Sequence, residues 1–159
     1  MAEKQATPPQ QRVVCPTPLS PPSEIEAKLY YAGLPSAPRL VARTGTTPWK
    51  EPTGPEADRK LKELHPAGNH PIGDLWEEGL SFEVCAVLES MKVRWASIDI
   101  CRIGYSEDSF SPVVLWIGVT PGSLSGNDGV AVVSECHKLL VEYDITDVEV
   151  EIRESVIMQ

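Results

Sequence analysis

The chain has 159 residues, of which 15 are proline, and a formal net charge of −9 at pH 7. This length allows one folded domain with a tail. Residues 1–54 carry six Lys/Arg and four Asp/Glu, a net of +2, whereas residues 55–159 carry eight and nineteen, a net of −11. A part this acidic repels phosphate groups, so the composition argues against binding to nucleic acids or anionic membranes.

The N-terminus MAEKQATPPQQ is polar and unlike a signal peptide, and the chain contains no apolar run of about 18 residues. These features predict a cytoplasmic protein that contacts no membrane. The four cysteines (Cys15, Cys85, Cys101 and Cys136) include no CxxC pair. We therefore expect free thiols, no metal site and no cofactor.

The first part of the chain predicts a tail followed by an arm. Residues 1–22 are rich in proline and poor in apolar anchors, so we expect a disordered segment. Residues 23–68 predict an irregular arm with short helices. Ser23 and Glu26 form a capping-box pattern for a helix that Gly33 ends, and a second helix is expected over residues 55–64. Residues 39–43 are a candidate strand whose place in the sheet the sequence leaves open.

Residues 69–159 predict the α/β core. A long amphipathic helix starts at Pro71, an alternating strand covers residues 94–104, and Val113–Val119 forms a continuous apolar strand. A second helix follows Ser125, and residues 147–153 form a last strand. The two strands on either side of this second helix should be parallel. In the last strand, three polar residues are expected to point outward: Glu149, Glu151 and Arg153.

This order of helix, strand, strand, helix, strand predicts an α+β fold with a two-layer α/β sandwich. If residues 39–43 add a preceding strand, the order becomes the ferredoxin-like βαββαβ arrangement. Oligomeric state does not follow from these patterns.

The loop PGSLSGNDG lies between a predicted strand and a predicted helix, where backbone N–H groups can hold an anion. It lacks the Gly-Lys-Ser/Thr of a P-loop, and it has leucine at the serine position of a nucleophile elbow. A capped turn explains it more simply. Its candidate ligand-binding residues are Gly122, Ser123, Ser125, Gly126 and Asn127.

No set of residues in the sequence indicates catalysis. Cys136 and His137 are neighbours on a predicted helix and point in different directions. His65 and His70 flank a turn and have poor spacing for a metal. Trp49 stands in a polar Pro/Gly segment, where it either anchors the arm to the domain or contacts a partner. We therefore place Trp49 and Arg43 at a surface where the arm or a protein partner docks.

Three strings in the chain, LPSAPRLVARTGTTPWKEPTGPEA, PVVLWIGVTPGSLSGNDGVAV and YDITDVEVEIRES, extend from Leu34 to Ser155. They resemble an uncharacterised domain family of mushroom-forming (basidiomycete) fungi, which in longer relatives precedes a region resembling a trypsin-like peptidase. This chain reaches Gln159 without such a region. The resemblance implies an accessory N-terminal module and supplies no catalytic residue.

The predicted function is a non-catalytic accessory or interaction domain with a possible protein partner. Two alternatives stay open. One is a domain that binds a small molecule or anion, or hydrolyses it, at the loop of residues 121–128. The other is a truncated module of a protein that contains a trypsin-like peptidase.

Overall fold

The computed structural model describes residues 19–54, 61–108 and 110–155. In this part of the chain, helices and strands form an α+β fold, as the sequence predicted. The helices are α1 (Glu24–Leu29), α2 (Pro71–Leu75), α3 (Ser81–Ser90) and α4 (Gly126–Glu142). The strands are β1 (Leu40–Arg43), β2 (Lys62–Pro66), β3 (Trp95–Tyr105), β4 (Val113–Val119) and β5 (Val148–Glu154).

The five strands form one mixed sheet in the order β1-β5-β4-β3-β2. Strands β4 and β5 are parallel, as predicted, and the other neighbours are antiparallel. The strand of residues 39–43 therefore joins the sheet at one edge, beside β5. This strand order does not confirm the ferredoxin-like arrangement. Strands β1 and β2 precede residue 69 and strands β3 to β5 follow it, so the sheet includes parts of both the predicted arm and the predicted core.

One face of the sheet, the helix face, packs on α2, α3 and α4. Alternate residues of β4 and β5 meet the buried side of these helices in the largest apolar cluster, including Leu115, Ile117 and Ile152. Helix α4 begins after Ser125, whose Oγ accepts a hydrogen bond from the N–H of Asp128 at 3.1 Å. No helix in the described ranges is long and apolar enough to cross a bilayer.

The helix predicted from Pro71 is present but interrupted. The π-type turn Trp76–Leu80 separates α2 from α3, and Gly79 has a φ of 146° at the kink. The N–H of Ile72 donates to Nδ1 of His70 at 3.1 Å, so a histidine side chain caps the first turn. Nε2 of the same ring lies 3.0 Å from Oδ2 of Asp147, which precedes β5. This ring thus joins the start of the helix to the sheet.

Two local predictions need correction. Residues 55–60 of the helix expected over residues 55–64 lie outside the described part, and its last three residues belong to strand β2 instead. Pairing with β3, where Lys62 lies opposite Tyr105, overrides the local helical pattern. Glu149, Glu151 and Arg153 do point away from the helices. They do not face open solvent, however, because the arm covers this second face and leaves Glu151 only 2% exposed.

Candidate functional site

Two tyrosines attach residues 23–54 to the second face of the sheet. These residues are the part of the predicted arm that precedes β2, and the name arm is kept for them below. The hydroxyl of Tyr31 donates to Oε1 of Glu151 at 2.7 Å, and the hydroxyl of Tyr30 donates to Oε2 at 3.1 Å. Nε1–H of Trp116 donates to the Tyr31 oxygen at 3.0 Å. These contacts give a buried carboxylate two donors, which offsets much of the cost of removing it from water.

The arm also contacts the edge strand β2 through its backbone. The N–H of Lys62 donates to the carbonyl of Ala32 at 2.8 Å. The next residue, Gly33, has a φ of 103°, and a Cβ built there would lie 2.7 Å from the Lys62 nitrogen. Only glycine fits this approach, because a side chain would collide with the backbone of β2. The turn at residues 33–35 therefore lets the arm pack closely against the sheet.

Arg43 holds the next part of the arm in place. Its Nε donates to Glu26 at 2.9 Å, while Nη1 and Nη2 donate to the carbonyls of Gly45 and Thr47 at 2.9 and 2.8 Å. Trp49 follows and packs, partly buried, against the apolar cluster that contains Tyr31 and Trp116. Trp49 thus packs on the domain, whereas the hydrogen bonds of Arg43, which lies in β1, go to other residues of the arm.

A cavity of about 240 Å³ lies between the arm and the sheet, and we call it the arm cavity. Its walls combine charged side chains of both signs with aromatic rings. The lining side chains that carry charge or aromatic rings are Tyr30, Arg43, Trp49, Lys62, Tyr105, Asp108, Glu149 and Glu151.

Lys62 is the buried cation of the arm cavity. Its side chain is 6% exposed, and Nζ lies 3.2 Å from the centroid of the Tyr30 ring. Burial lowers the pKa of Lys62 to about 8, although the charge of Glu151 opposes that shift. Nζ donates no hydrogen bond to the residues that the structure describes, and its contacts there are with the rings of Tyr30, Tyr31 and Tyr105.

Glu149 is the anionic counterpart on β5. Burial raises the pKa of its carboxyl group, and the nearby charge of Glu151 raises it further. Oε1 would lie 3.0 Å from a Cβ at Gly45, so the glycine leaves room for this carboxylate. Within the described ranges, Glu149 accepts no hydrogen bond from a side chain and forms no ion pair within 4.0 Å. A half-buried carboxylate of this kind still has acceptor capacity for a ligand.

The loop that the sequence singled out lies elsewhere, and its polar groups have partners. The N–H of Gly122 donates to Oε2 of Glu154 at 2.9 Å, and Oγ of Ser123 donates to the carbonyl of Thr120. Ser125 caps α4, and Gly126 approaches Pro21, whose Cβ lies 2.8 Å from a Cβ built at the glycine. Asn127 is exposed. None of the loop residues lines the arm cavity.

Sequence patterns alone did not identify Lys62, Glu149 or Glu151 as site residues. The alternation in VEVEIRE places Glu149 and Glu151 on the same side of β5, but this pattern is also typical of a solvent-facing strand. The consecutive tyrosines after α1 were the available signal, since two adjacent phenols in a polar arm need a surface to pack on.

The described residues hold no group of three His, Cys, Asp or Glu side chains arranged for a metal ion. Burial raises the pKa of the Cys101 and Cys136 thiols to about 12, so neither is a nucleophile near neutral pH. Lys62 and Glu149 in the arm cavity are titratable groups that remain available for a ligand. They can supply one positive and one negative contact.

Comparisons of the chain with protein-family models, with curated proteins and with solved structures found no match. The resemblance to the fungal domain family therefore stays a prediction.

Proposed function

We propose that the protein is a non-catalytic binding domain that holds a small zwitterion, of the size of a free amino acid, in the arm cavity. One observation carries this proposal. Lys62 and Glu149 line the same cavity with opposite charges, and neither forms a hydrogen bond or ion pair through its charged group with the described residues. An ammonium group at Glu149 and a carboxylate at Lys62 would satisfy both.

The energetic argument rests on desolvation. Burial lowers the pKa of Lys62 and raises that of Glu149, which means that both charged forms lose hydration in the folded protein. Among the described residues no ion pair within 4.0 Å joins them. A ligand that places one opposite charge beside each group recovers part of this loss, whereas a ligand with a single charge leaves one group uncompensated.

The size of the cavity favours a small ligand. About 240 Å³ is below the roughly 300–1,000 Å³ of pockets that hold drug-sized molecules. Trp49 and Tyr105 supply aromatic walls against which the apolar part of an amino acid can pack. A macromolecular ligand would not fit, although the arm around the cavity still offers a surface to a protein partner. The acidic charge of residues 55–159 continues to disfavour nucleic acid.

Binding rather than catalysis is supported by the state of Lys62. A lysine acts as a nucleophile only as the neutral amine, and a pKa of about 8 leaves most of this side chain charged at pH 7. The Tyr30 ring, 3.2 Å from Nζ, favours that charged form.

Isothermal titration with the free amino acids tests the proposal. For the tightest-binding amino acid, the corresponding amine without the carboxylate and the acid without the ammonium should each bind at least ten-fold more weakly, which corresponds to about 1.4 kcal/mol. Lys62→Met and Glu149→Gln should each weaken binding of the zwitterion by a similar factor. Lys138→Met and Glu142→Gln, on the exposed side of α4, serve as matched controls and should bind like the unmodified protein.

Two results would contradict the proposal. One is that no amino acid binds to the folded protein at millimolar concentration. The other is that the amine or the acid alone binds as tightly as the zwitterion, in which case the paired charges do not define the ligand.

A further inference from the structure

We infer that a second, separate site, centred on Arg153 and Trp116, binds a small carboxylate that has an apolar body. This site lies on the same covered face of the sheet as the arm cavity, and the two cavities share no lining residue. The inference therefore does not depend on the zwitterion site.

The contacts of Arg153 leave one edge of its guanidinium group unsatisfied. The residue is 9% exposed, and its Cζ lies 3.6 Å from the centroid of the Trp116 ring. Nη2 donates to Oγ of Ser97 at 3.2 Å and to Oδ2 of Asp99 at 3.4 Å. Nη1 is buried and has no hydrogen-bond partner among the described residues.

An unpaired N–H of a buried guanidinium group is costly, because this donor loses its hydrogen bonds to water on folding and gains no other acceptor. The weak contact with Asp99 does not remove this cost. The Asp99 carboxylate is 56% exposed and its oxygen lies 3.4 Å away, compared with about 2.7–2.9 Å in strong charge-assisted pairs. Because Nη1 is buried, the guanidinium group must turn toward the cavity before an acceptor oxygen reaches it, and that oxygen would then bind favourably.

A cavity of about 480 Å³ adjoins Arg153, within the size range of small-ligand sites. Its walls include Pro35, Leu64 and Trp116, which offer apolar contacts to the body of a ligand. Ser36 and Ala37 form part of its rim with positive φ values of 67° and 35°. Backbone strain of this kind is costly and is often found where a fold forms a binding site.

The charges around the cavity favour a carboxylate over a phosphate. Arg39 also lines it, but both of its terminal nitrogens are paired with the Glu24 carboxylate at 2.8 and 2.6 Å. Glu154 contributes a negative charge to the same lining. One incompletely paired cation beside an acidic group matches an anion with a single charge, whereas a dianionic phosphate needs several donors.

The test uses the full chain and three probes: benzoate, its neutral isostere benzamide, and inorganic phosphate. Isothermal titration should show that benzoate binds, and that benzamide and phosphate each bind roughly ten-fold more weakly or not at all. Arg153→Lys should weaken benzoate binding about ten-fold, since lysine has no flat guanidinium group that stacks on Trp116 while its edge binds a carboxylate. Arg94→Lys, at an exposed position, is the matched control and should leave binding unchanged.

A second variant keeps the test decisive if Arg153→Lys does not fold. Leu64 is 44% exposed on the edge strand, so Leu64→Trp should fold while filling part of the cavity. Benzoate binding should then fall at least ten-fold. Lys62→Met should leave it unchanged, which separates this site from the arm cavity.

Equal binding of benzoate and benzamide would overturn the inference, because the carboxylate would then contribute nothing. Phosphate binding that depends on Arg153 in the absence of benzoate binding would also overturn it, as would a Leu64→Trp protein that binds benzoate normally. Absence of benzoate binding to the unmodified protein would have the same consequence.

Discussion

The hydroxyl group of Tyr31 donates a 2.7 Å hydrogen bond to Oε1 of Glu151, although 120 residues separate the two in the chain. Tyr31 is 0% exposed and Glu151 is 2% exposed. Burial raises the pKa of the Tyr31 phenol, and the Glu151 charge raises it further, so the phenol stays protonated and able to donate. The arm and the last strand of the sheet are thus joined by a neutral donor and a buried acceptor.

Replacing Tyr31 with phenylalanine should lower the free energy of unfolding by about 1–3 kcal/mol, because Glu151 loses a donor and Trp116 Nε1 loses its acceptor in a buried place. Urea unfolding followed by circular dichroism measures this change. Tyr143→Phe is the matched control, since the Tyr143 hydroxyl has no hydrogen-bond partner in the described residues. The arm does not depend on the Tyr31 hydroxyl if both variants lose the same small amount.

Lys62 predicts a specific dependence of stability on pH. Its pKa falls from 10.5 to about 8 on folding, mainly because burial disfavours the charged form. Between these two pH values the unfolded chain binds more protons than the folded protein, so the contribution of Lys62 to stability rises with pH. The difference between the two pKa values corresponds to a change in the free energy of unfolding of roughly 3 kcal/mol at most.

The measurement is the free energy of unfolding of the unmodified protein and of Lys62→Met at pH 7, 8, 9 and 10. The difference between them should shift in favour of the unmodified protein above pH 8. Titrations of tyrosine and cysteine occur in both proteins and largely cancel in this comparison. A difference that stays constant over this range would show that Lys62 keeps an ordinary pKa.

His70 caps the first turn of α2, as its Nδ1 accepts the Ile72 N–H at 3.1 Å. Loss of an N-terminal cap costs about 0.5–2 kcal/mol, so His70→Ala should destabilise the protein by that amount in thermal or urea unfolding. His65→Ala, which removes an exposed histidine whose one ion-pair partner in the described part of the chain is Glu63, should cost less than about 0.5 kcal/mol. Equal effects of the two substitutions would contradict the capping role.

Trp49 holds the end of the arm against the sheet, and its removal should expose that segment to proteases. In Trp49→Ala, trypsin should cleave after Lys50 several-fold faster than in the unmodified protein, because cleavage follows the population of the opened arm. Mass spectrometry of timed samples gives the rate at this bond. Phe82→Ala provides the control, since Phe82 is 78% exposed and far from the arm in sequence. An unchanged rate would mean that Trp49 does not anchor the arm.

The helices, strands and parallel β4–β5 unit of the core were predictable because hydrophobic periodicity reports directly which residues face an apolar layer. The continuous apolar run of β4, Val113–Val119, correctly indicated a strand, and the structure buries this strand on both faces. By contrast, Lys62 and its neighbours in β2 carry little periodicity. Their strand conformation depends on pairing with β3, and the sequence of one short segment does not show which strand it pairs with.

The sequence by itself determined the α+β core, the caps at Ser23 and Ser125, and the common face of Glu149, Glu151 and Arg153. Only the tertiary structure decided what covers that face. Alternation with a period of two shows which residues share one side of a strand. The sequence pattern of a polar side is the same whether water or an arm of the chain covers it. Burial of these charges arises from Tyr30, Tyr31 and the close approach at Gly33, contacts made between residues distant in sequence.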